Sequence, residues 1–264
     1  MRGRCSAGRA LVRLGQNFLA DPNLLAAIVR DAELDPADVV LEVGAGEGVL
    51  TERLAAAAAH VQVIEIDRGL EPALAPVLAL ANVGLHWGDA MKVDLTALSP
   101  APTAMVANLP YSVATPVLLR TIEQLPQLQR WTVMVQREIA ERLRAAPGSR
   151  TYGAPSVVAQ LACEVELLRT VDPAVFKPRP RVESAILRLR RTGPAADRET
   201  HELVRAAFAH RRKALARSLE HVRPGSRDAV RAALADLGLP ENARAEALAP
   251  ADFAALSAKL RQDR

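Results

Sequence analysis

Aromatic side chains are scarce in this sequence. Four Phe, two Tyr and two Trp make 3% of 264 residues. The core must therefore be built from Leu, Val, Ile and Ala, and each aromatic is a candidate for a specific task. Cysteine is scarcer still. Cys5 and Cys163 are too few to staple a chain this long, which excludes a disulfide scaffold, and too isolated to suggest a nucleophile. No apolar run reaches the roughly 18 residues that cross a bilayer. The opening MRGRCSAGRALVR is basic but lacks the apolar stretch of about 7–15 residues of a secretory signal. A cytoplasmic setting without membrane contact is the expectation. The five histidines show no metal-ligand spacing, so no metal is expected. Disorder is excluded as the main state because 50% of the residues are hydrophobic.

Charge is present but unevenly placed. Residues 1–190 carry 20 basic and 20 acidic side chains, whereas residues 191–264 carry 14 against 10. Three clusters stand out. The first 20 residues hold four Arg and no acid, and Lys177 to Arg191 holds six basic residues against one Glu. Arg205, Arg211, Arg212, Lys213 and Arg217 lie between Glu202 and Glu220 with no acid among them. Clusters of this kind in a nearly neutral chain point to a polyanionic partner; solvated surface arginines are the alternative.

Short apolar runs alternate with helical stretches along the first two thirds. Strands are expected at Val39–Val43, Val61–Ile66, Val83–His86, Ala104–Ala107 and Trp131–Val135. Helices are expected at Thr51–Ala59, Leu70–Ala81 (interrupted by Pro72 and Pro76), Val113–Leu125 and Arg137–Ala145. Leu161–Leu168 and Ala185–Leu189 add two edge strands. The pattern is α/β with a mainly parallel sheet. After Arg191 the segment TGPAADRET breaks it, and the Ala/Leu/Arg-rich remainder reads as all-helical. The expected division is 1–191 and 192–264.

The first chemical signal is Glu42-Val43-Gly44-Ala45-Gly46-Glu47-Gly48, a strand running into a Gly-rich turn and a helix. Glycine lets a backbone approach a ligand closely, and a helix N-terminus presents unpaired N–H groups. Dinucleotide loops read G-x-G-x-x-G; this one reads G-x-G-x-G. The tighter form resembles the cofactor loop of class I S-adenosylmethionine-dependent methyltransferases, in which Gly44 and Gly46 hold the methionine part. Glu65, at the end of the second strand, is placed to accept from ribose hydroxyls, and a carboxylate there repels a 2′-phosphate. Asp89, after the third strand, is placed to accept from the adenine amine of the cofactor.

At the end of the fourth strand stands Asn108-Leu109-Pro110-Tyr111. An exocyclic amine of a base is a poor nucleophile because its lone pair is delocalised into the ring. Two acceptors on its hydrogens draw it toward tetrahedral geometry, and the Asn108 side-chain oxygen and the Pro110 carbonyl are suited to this. Tyr111 offers a stacking face, worth about 1–3 kcal/mol per base in single-strand binders.

Eight segments in order then carry a resemblance: LGQNFLAD, EVGAGEGVLT, GDAM, NLPYSVATP, QREIAERL, PGSRTYGAPSV, FKPRPRVESAILRL and FAHRRKALARSL. Across about residues 12–220 the chain resembles the ribosomal RNA adenine N6,N6-dimethyltransferases, particularly those acting on small-subunit RNA. The resemblance implies a class I methyltransferase fold and S-adenosylmethionine as cofactor. It implies that Gln16, Asn17 and Leu19 close over the cofactor, that Asn108 borders it, and that Phe176 stacks on the far face of the target adenine. The implied substrate is a pair of adjacent adenines near the 3′ end of small-subunit rRNA, presented unpaired on an immature subunit to a monomeric enzyme. Arg179, Arg181, Arg211, Arg212 and Lys213 are the expected RNA contacts. Asp172-Pro173-Ala174-Val175 departs from the family's Pro-Pro-Ser-Ala pattern and leaves the local loop shape open. Three alternatives stay open: a related large-subunit resistance methyltransferase, a DNA adenine methyltransferase (which typically carries Asp-Pro-Pro-Tyr), and an assembly factor acting mainly by RNA binding.

Overall fold

The computed structural model describes residues 17–19 and 21–262. Cys5, Gln16 and the arginines of the first 13 residues lie outside it. The strands are β1 (Phe18–Leu19), β2 (Val39–Val43), β3 (His60–Glu65), β4 (Val83–Trp87), β5 (Ala104–Asn108), β6 (Arg130–Gln136), β7 (Cys163–Val171), β8 (Phe176–Lys177) and β9 (Ser184–Arg191). Seven form one sheet in the order β4-β3-β2-β5-β6-β9-β7. The first five of these are parallel to one another, and β9 runs antiparallel to β6. This is the α/β, mainly parallel architecture expected. Strands of a parallel sheet are covered on both faces, which explains why Val40, Leu41, Val61, Met105 and Val133 are all buried.

Helices α1 (Pro22–Asp31), α2 (Val49–Ala57), α3 (Glu71–Leu78), α4 (Ala114–Gln124) and α5 (Arg137–Leu143) follow or precede these strands. Helix α1 was not expected from the sequence. It starts because the Asp21 carboxylate accepts from the Asn23 and Leu24 amides at 2.8 and 2.9 Å, with Pro22 in the first turn. Pro72 sits in the first turn of α3, where it is tolerated, and the helix closes at Leu78, two residues after Pro76. Trp131 is fully buried and its indole N–H donates to Thr121 Oγ1 at 2.9 Å, so one of the few aromatics serves the core.

By contacts the chain divides into two units. One holds the residues up to Ala140 with Glu166–Arg190; the other holds Glu141–Val165 with Arg191 onward. The sequence boundary at 191/192 falls beside the second of these limits, while residues 141–165 group with the later helices. The second unit contains α6 (Ala154–Ala162), α7 (Arg198–Ala209), α8 (Leu215–Glu220), α9 (Arg227–Asp236) and α10 (Pro250–Gln262). The stretch expected as a strand from Leu161 is still helix through Ala162. Tyr152 is buried here, donates to the Leu248 carbonyl at 2.9 Å and meets Phe208 edge-on at 5.9 Å. Phe208 in turn lies 5.8 Å from Phe253. Tyr152 and Phe208 therefore pack.

Candidate active site

In an open parallel sheet a ligand site forms beyond the C-terminal ends of the strands where the order reverses. Here that point lies between β2 and β5. A cavity of about 240 Å³ opens there, walled by the turns after β2, β3, β4 and β5. Asn17, Leu19, Gly44, Gly46, Glu65, Asp89, Asn108, Leu109, Pro110 and Tyr111 all border it, as the sequence reading grouped them.

The loop after β2 is shaped by Gly44, Gly46 and Gly48, with φ of 80°, 59° and 81°. A Cβ on Gly44 would stand 3.3 Å from the Pro110 ring, so the two loops touch. Gly48 is the N-cap of α2 and supplies no side-chain cap, leaving the first N–H groups of the helix open to an anion. Glu65 is buried and rigidly held. Its carboxylate accepts from the amides of Ile66 at 2.8 Å, Asp67 at 2.9 Å and Gly46 at 3.1 Å. Asp89 Oδ1 accepts from the Met91 amide at 2.9 Å. Arg120 of α4 braces the same turn from behind, donating to the carbonyls of Ala90 at 2.5 Å and Val93 at 2.7 Å.

The described cavity lining contains four carboxyl groups, Glu42, Glu47, Glu65 and Asp89, and no Lys, Arg or His. Such a wall disfavours a pyrophosphate and favours a cationic ligand. The uncapped helix end meets a carboxylate, and the carboxyl groups meet hydroxyls, an amine and a positive centre. S-adenosylmethionine has this combination of groups, so the residues fit it. Glu42 is the residue sequence reasoning passed over. Its side chain is buried, accepts from Thr51 Oγ1 at 2.6 Å, and its pKa is pushed up to about 8, chiefly by burial, with Glu65 adding to the rise. The signal was present as the first letter of EVGAGEG but was read only as the end of a strand. Ile66, exposed at the cavity edge, was likewise missed.

On the target side, Asn108 Nδ2 donates to the Asn17 carbonyl at 3.2 Å, which leaves Oδ1 as an acceptor. Leu109 is buried, and its amide donates to the Met134 carbonyl at 3.0 Å, so its contribution is to extend β5. The Pro110 carbonyl accepts from the Val113 amide at 3.1 Å and keeps a second lone pair. Tyr111 is half-buried, its hydroxyl 2.5 Å from Ser184 Oγ, and burial raises its pKa. Phe176 does not border this cavity. It is 2% exposed, lies in the core with Leu25 and Ile28, and pairs with Leu19 in the β1–β8 ribbon.

The arginines of the second basic cluster divide between two settings. Arg188 bridges Glu33 and Glu166 at 2.7 and 2.6 Å, and Arg190 also meets Glu33, at 2.6 Å. Those arginines serve the unit's own surface. Arg179 and Arg181 are exposed, Arg179 lying 3.6 Å from Asp172. Arg211, Arg212 and Lys213 were expected on a helix; they lie in the turn between α7 and α8. Among the described residues no group of three or more His, Cys, Asp or Glu is arranged to hold a metal, and no helix is long and apolar enough to cross a membrane.

The chain is similar to several known proteins. The chain is 46% identical over 248 residues to the ribosomal RNA small subunit methyltransferase A of Rubrobacter xylanophilus, covering 92% of each chain. It is 45% identical over 255 residues to the protein of the same name from Streptomyces griseus, covering 92% of this chain and 87% of that one. Among solved structures, a dimethyladenosine transferase from Plasmodium falciparum superposes with a TM-score of 0.75 at 26% identity, over 90% of this chain and 95% of that one. The 23S rRNA methyltransferase ErmE gives 0.68 at 30% identity, over 93% and 100%. The family model described as ribosomal RNA adenine dimethylase matches residues 9–262, nearly the whole chain, and the chain belongs to that family.

Proposed function

We propose that this chain dimethylates the N6 amines of two adjacent adenines near the 3′ end of small-subunit rRNA, on an immature subunit in the cytoplasm, acting as a monomer. S-adenosylmethionine, when bound, supplies an already activated methyl on a sulfonium. The chain supplies position and orientation, which contribute up to about 7–11 kcal/mol in well-aligned systems. Glu65, fixed by three amides, accepts from the ribose hydroxyls. Asp89 accepts from the donor's adenine amine. The open N-terminus of α2, behind Gly44 and Gly46, takes the methionine carboxylate. Asn17 and Leu19, with Gln16 ahead of them, cover the donor.

The observation that carries the reading is Asn108. With Nδ2 held by the Asn17 carbonyl, Oδ1 is left beside the acid-lined cavity as one acceptor for a target amine. The second lone pair of the Pro110 carbonyl is the other acceptor, and Tyr111 is the stacking face. Phe176, buried as it is, supports the site by holding Leu19. No general base is required, because the N6 proton is lost after transfer to a cationic nitrogen. The names and greater identity of the small-subunit relatives favour that substrate over the large-subunit one. Arg179, Arg181, Arg211, Arg212 and Lys213 are assigned to RNA phosphates.

Mass mapping of rRNA tests the reading in cells with the gene, without it, and with Asn108→Ala. Two neighbouring dimethyladenines near the small-subunit 3′ end should vanish in both altered strains, while the purified variant keeps most of its cofactor affinity. Loss of a large-subunit mark instead would overturn the substrate assignment.

A further inference from the structure

We infer that Ser184 is a positioning residue for methyl transfer, tethering the Tyr111 hydroxyl and so holding in place the ring on which the target base stacks. The inference rests on the function proposed above and adds to it a residue with no contact to either substrate. Tyr111 follows β5 and Ser184 opens β9, with β6 between those strands in the sheet. The Tyr111 hydroxyl therefore reaches across the end of β6 to a partner 73 residues on, at 2.5 Å.

Both ends of the contact are anchored. Ser184 stands opposite Gln136 in the β6–β9 register. Its neighbour Glu183 accepts from the Arg137 amide at 3.0 Å and pairs with the Arg137 guanidinium at 2.7 Å. Ser184 is fully buried, next to Ala185, Ile186 and Leu187, which are also fully buried. A buried hydroxyl is tolerated in such a row only with a hydrogen-bond partner. Here the partner is a side chain of the target pocket. A tyrosine attached at Cα alone samples several χ1 wells. Held also at its hydroxyl, it keeps one, and the ring stays at the cavity wall before the base arrives. Tyr111 remains a neutral phenol in this setting, able to share its proton with Ser184.

The chain has only two tyrosines, and Tyr152 is buried in the other unit, so 19F spectra of the full chain labelled with 3-fluorotyrosine report on Tyr111 against an internal control. In Ser184→Ala the Tyr111 resonance should shift and narrow while that of Tyr152 stays. The kcat for methylation of immature small subunits should fall roughly tenfold, with the cofactor Kd within about twofold. Ser184→Thr, which keeps the hydroxyl, should recover most of the rate. Tyr111→Phe should match Ser184→Ala, and the double variant should be no worse than either, as for two ends of one contact. An unmoved Tyr111 resonance in Ser184→Ala would show that no tether exists. A released resonance with unchanged kcat, or a lower melting temperature as the only effect, would reduce Ser184 to a structural residue and leave the proposed function standing. Failure of the unaltered protein to methylate subunit adenines would remove both.

Discussion

Glu42 shows how burial sets chemistry at a single residue. Its folded pKa, about 8, lies above the ordinary 4.5, so between these values the folded chain binds a proton that the unfolded chain has lost. Stability linked to Glu42 is therefore fully present below about pH 4.5 and declines as pH rises, levelling off above about pH 8. Glu42→Gln removes this slope and keeps a hydrogen-bonding partner for Thr51. The melting temperature of the variant, relative to the unaltered protein, should rise steadily from pH 5 to pH 9, by an amount worth on the order of a few kcal/mol at most. A pH-independent difference would mean that Glu42 is ionised throughout. Residues placed by sequence position alone were legible beforehand: Glu65 and Asn108 each close a strand, Asp89 follows one by two residues, and strand ends were visible as apolar runs. Glu42 and Ser184 were not, because what distinguishes them is burial and a partner many residues away. The burial of Phe176 beside Leu19 was not legible for the same reason, since its motif gave no hint of it.

At the scale of elements, the turn between β2 and α2 is constrained at three left-handed glycines. Gly46 has φ of 59°, and a Cβ there would stand 2.9 Å from the Phe18 ring. Gly148 is also left-handed, at 80°, but a Cβ on it meets nothing within 4 Å. Both Gly→Ala changes incur the left-handed penalty of roughly 1–2 kcal/mol. Only Gly46→Ala must also push Phe18 and β1 aside. Calorimetry should find cofactor affinity reduced by about tenfold or more in Gly46→Ala, against no change in Gly148→Ala. Equal behaviour of the two would remove β1 from the cofactor site. The long strands and their helices could be read from apolar runs of four to six residues. Helix α1 and the β1–β8 ribbon could not. A two-residue strand has no periodicity, and its pairing, Leu19 with Phe176, joins segments whose proximity only the fold creates.

For the molecule as a whole, RNA affinity and chemistry should separate. Arg211 is engaged by Glu246 at 3.5 Å and by the Arg150 carbonyl at 3.2 Å, and Lys213 Nζ lies 2.7 Å from His221 Nε2. Arg212 is exposed in the same turn. Exposed pairs of the first kind contribute little stability, at most about 1 kcal/mol. Arg212→Ala should therefore weaken binding to small subunits and flatten its salt dependence by roughly 0.7–0.9 log units, one phosphate contact, with cofactor affinity unchanged. An unaltered slope in a variant combining Arg211→Ala, Arg212→Ala and Lys213→Ala, together with a lower melting temperature, would assign the whole turn to packing. The sheet itself sets a different kind of limit. Gly44 follows β2, Asn108 ends β5, and the two strands are parallel neighbours in which Val40 pairs with Ala104. Strands in a sheet stand about 4.8 Å apart whatever their side chains. On the proposed reading, with the donor over Gly44 and the acceptor at Asn108, backbone pairing of these two strands sets where both loops begin, a ruler that drift in the surrounding sequence leaves unaltered.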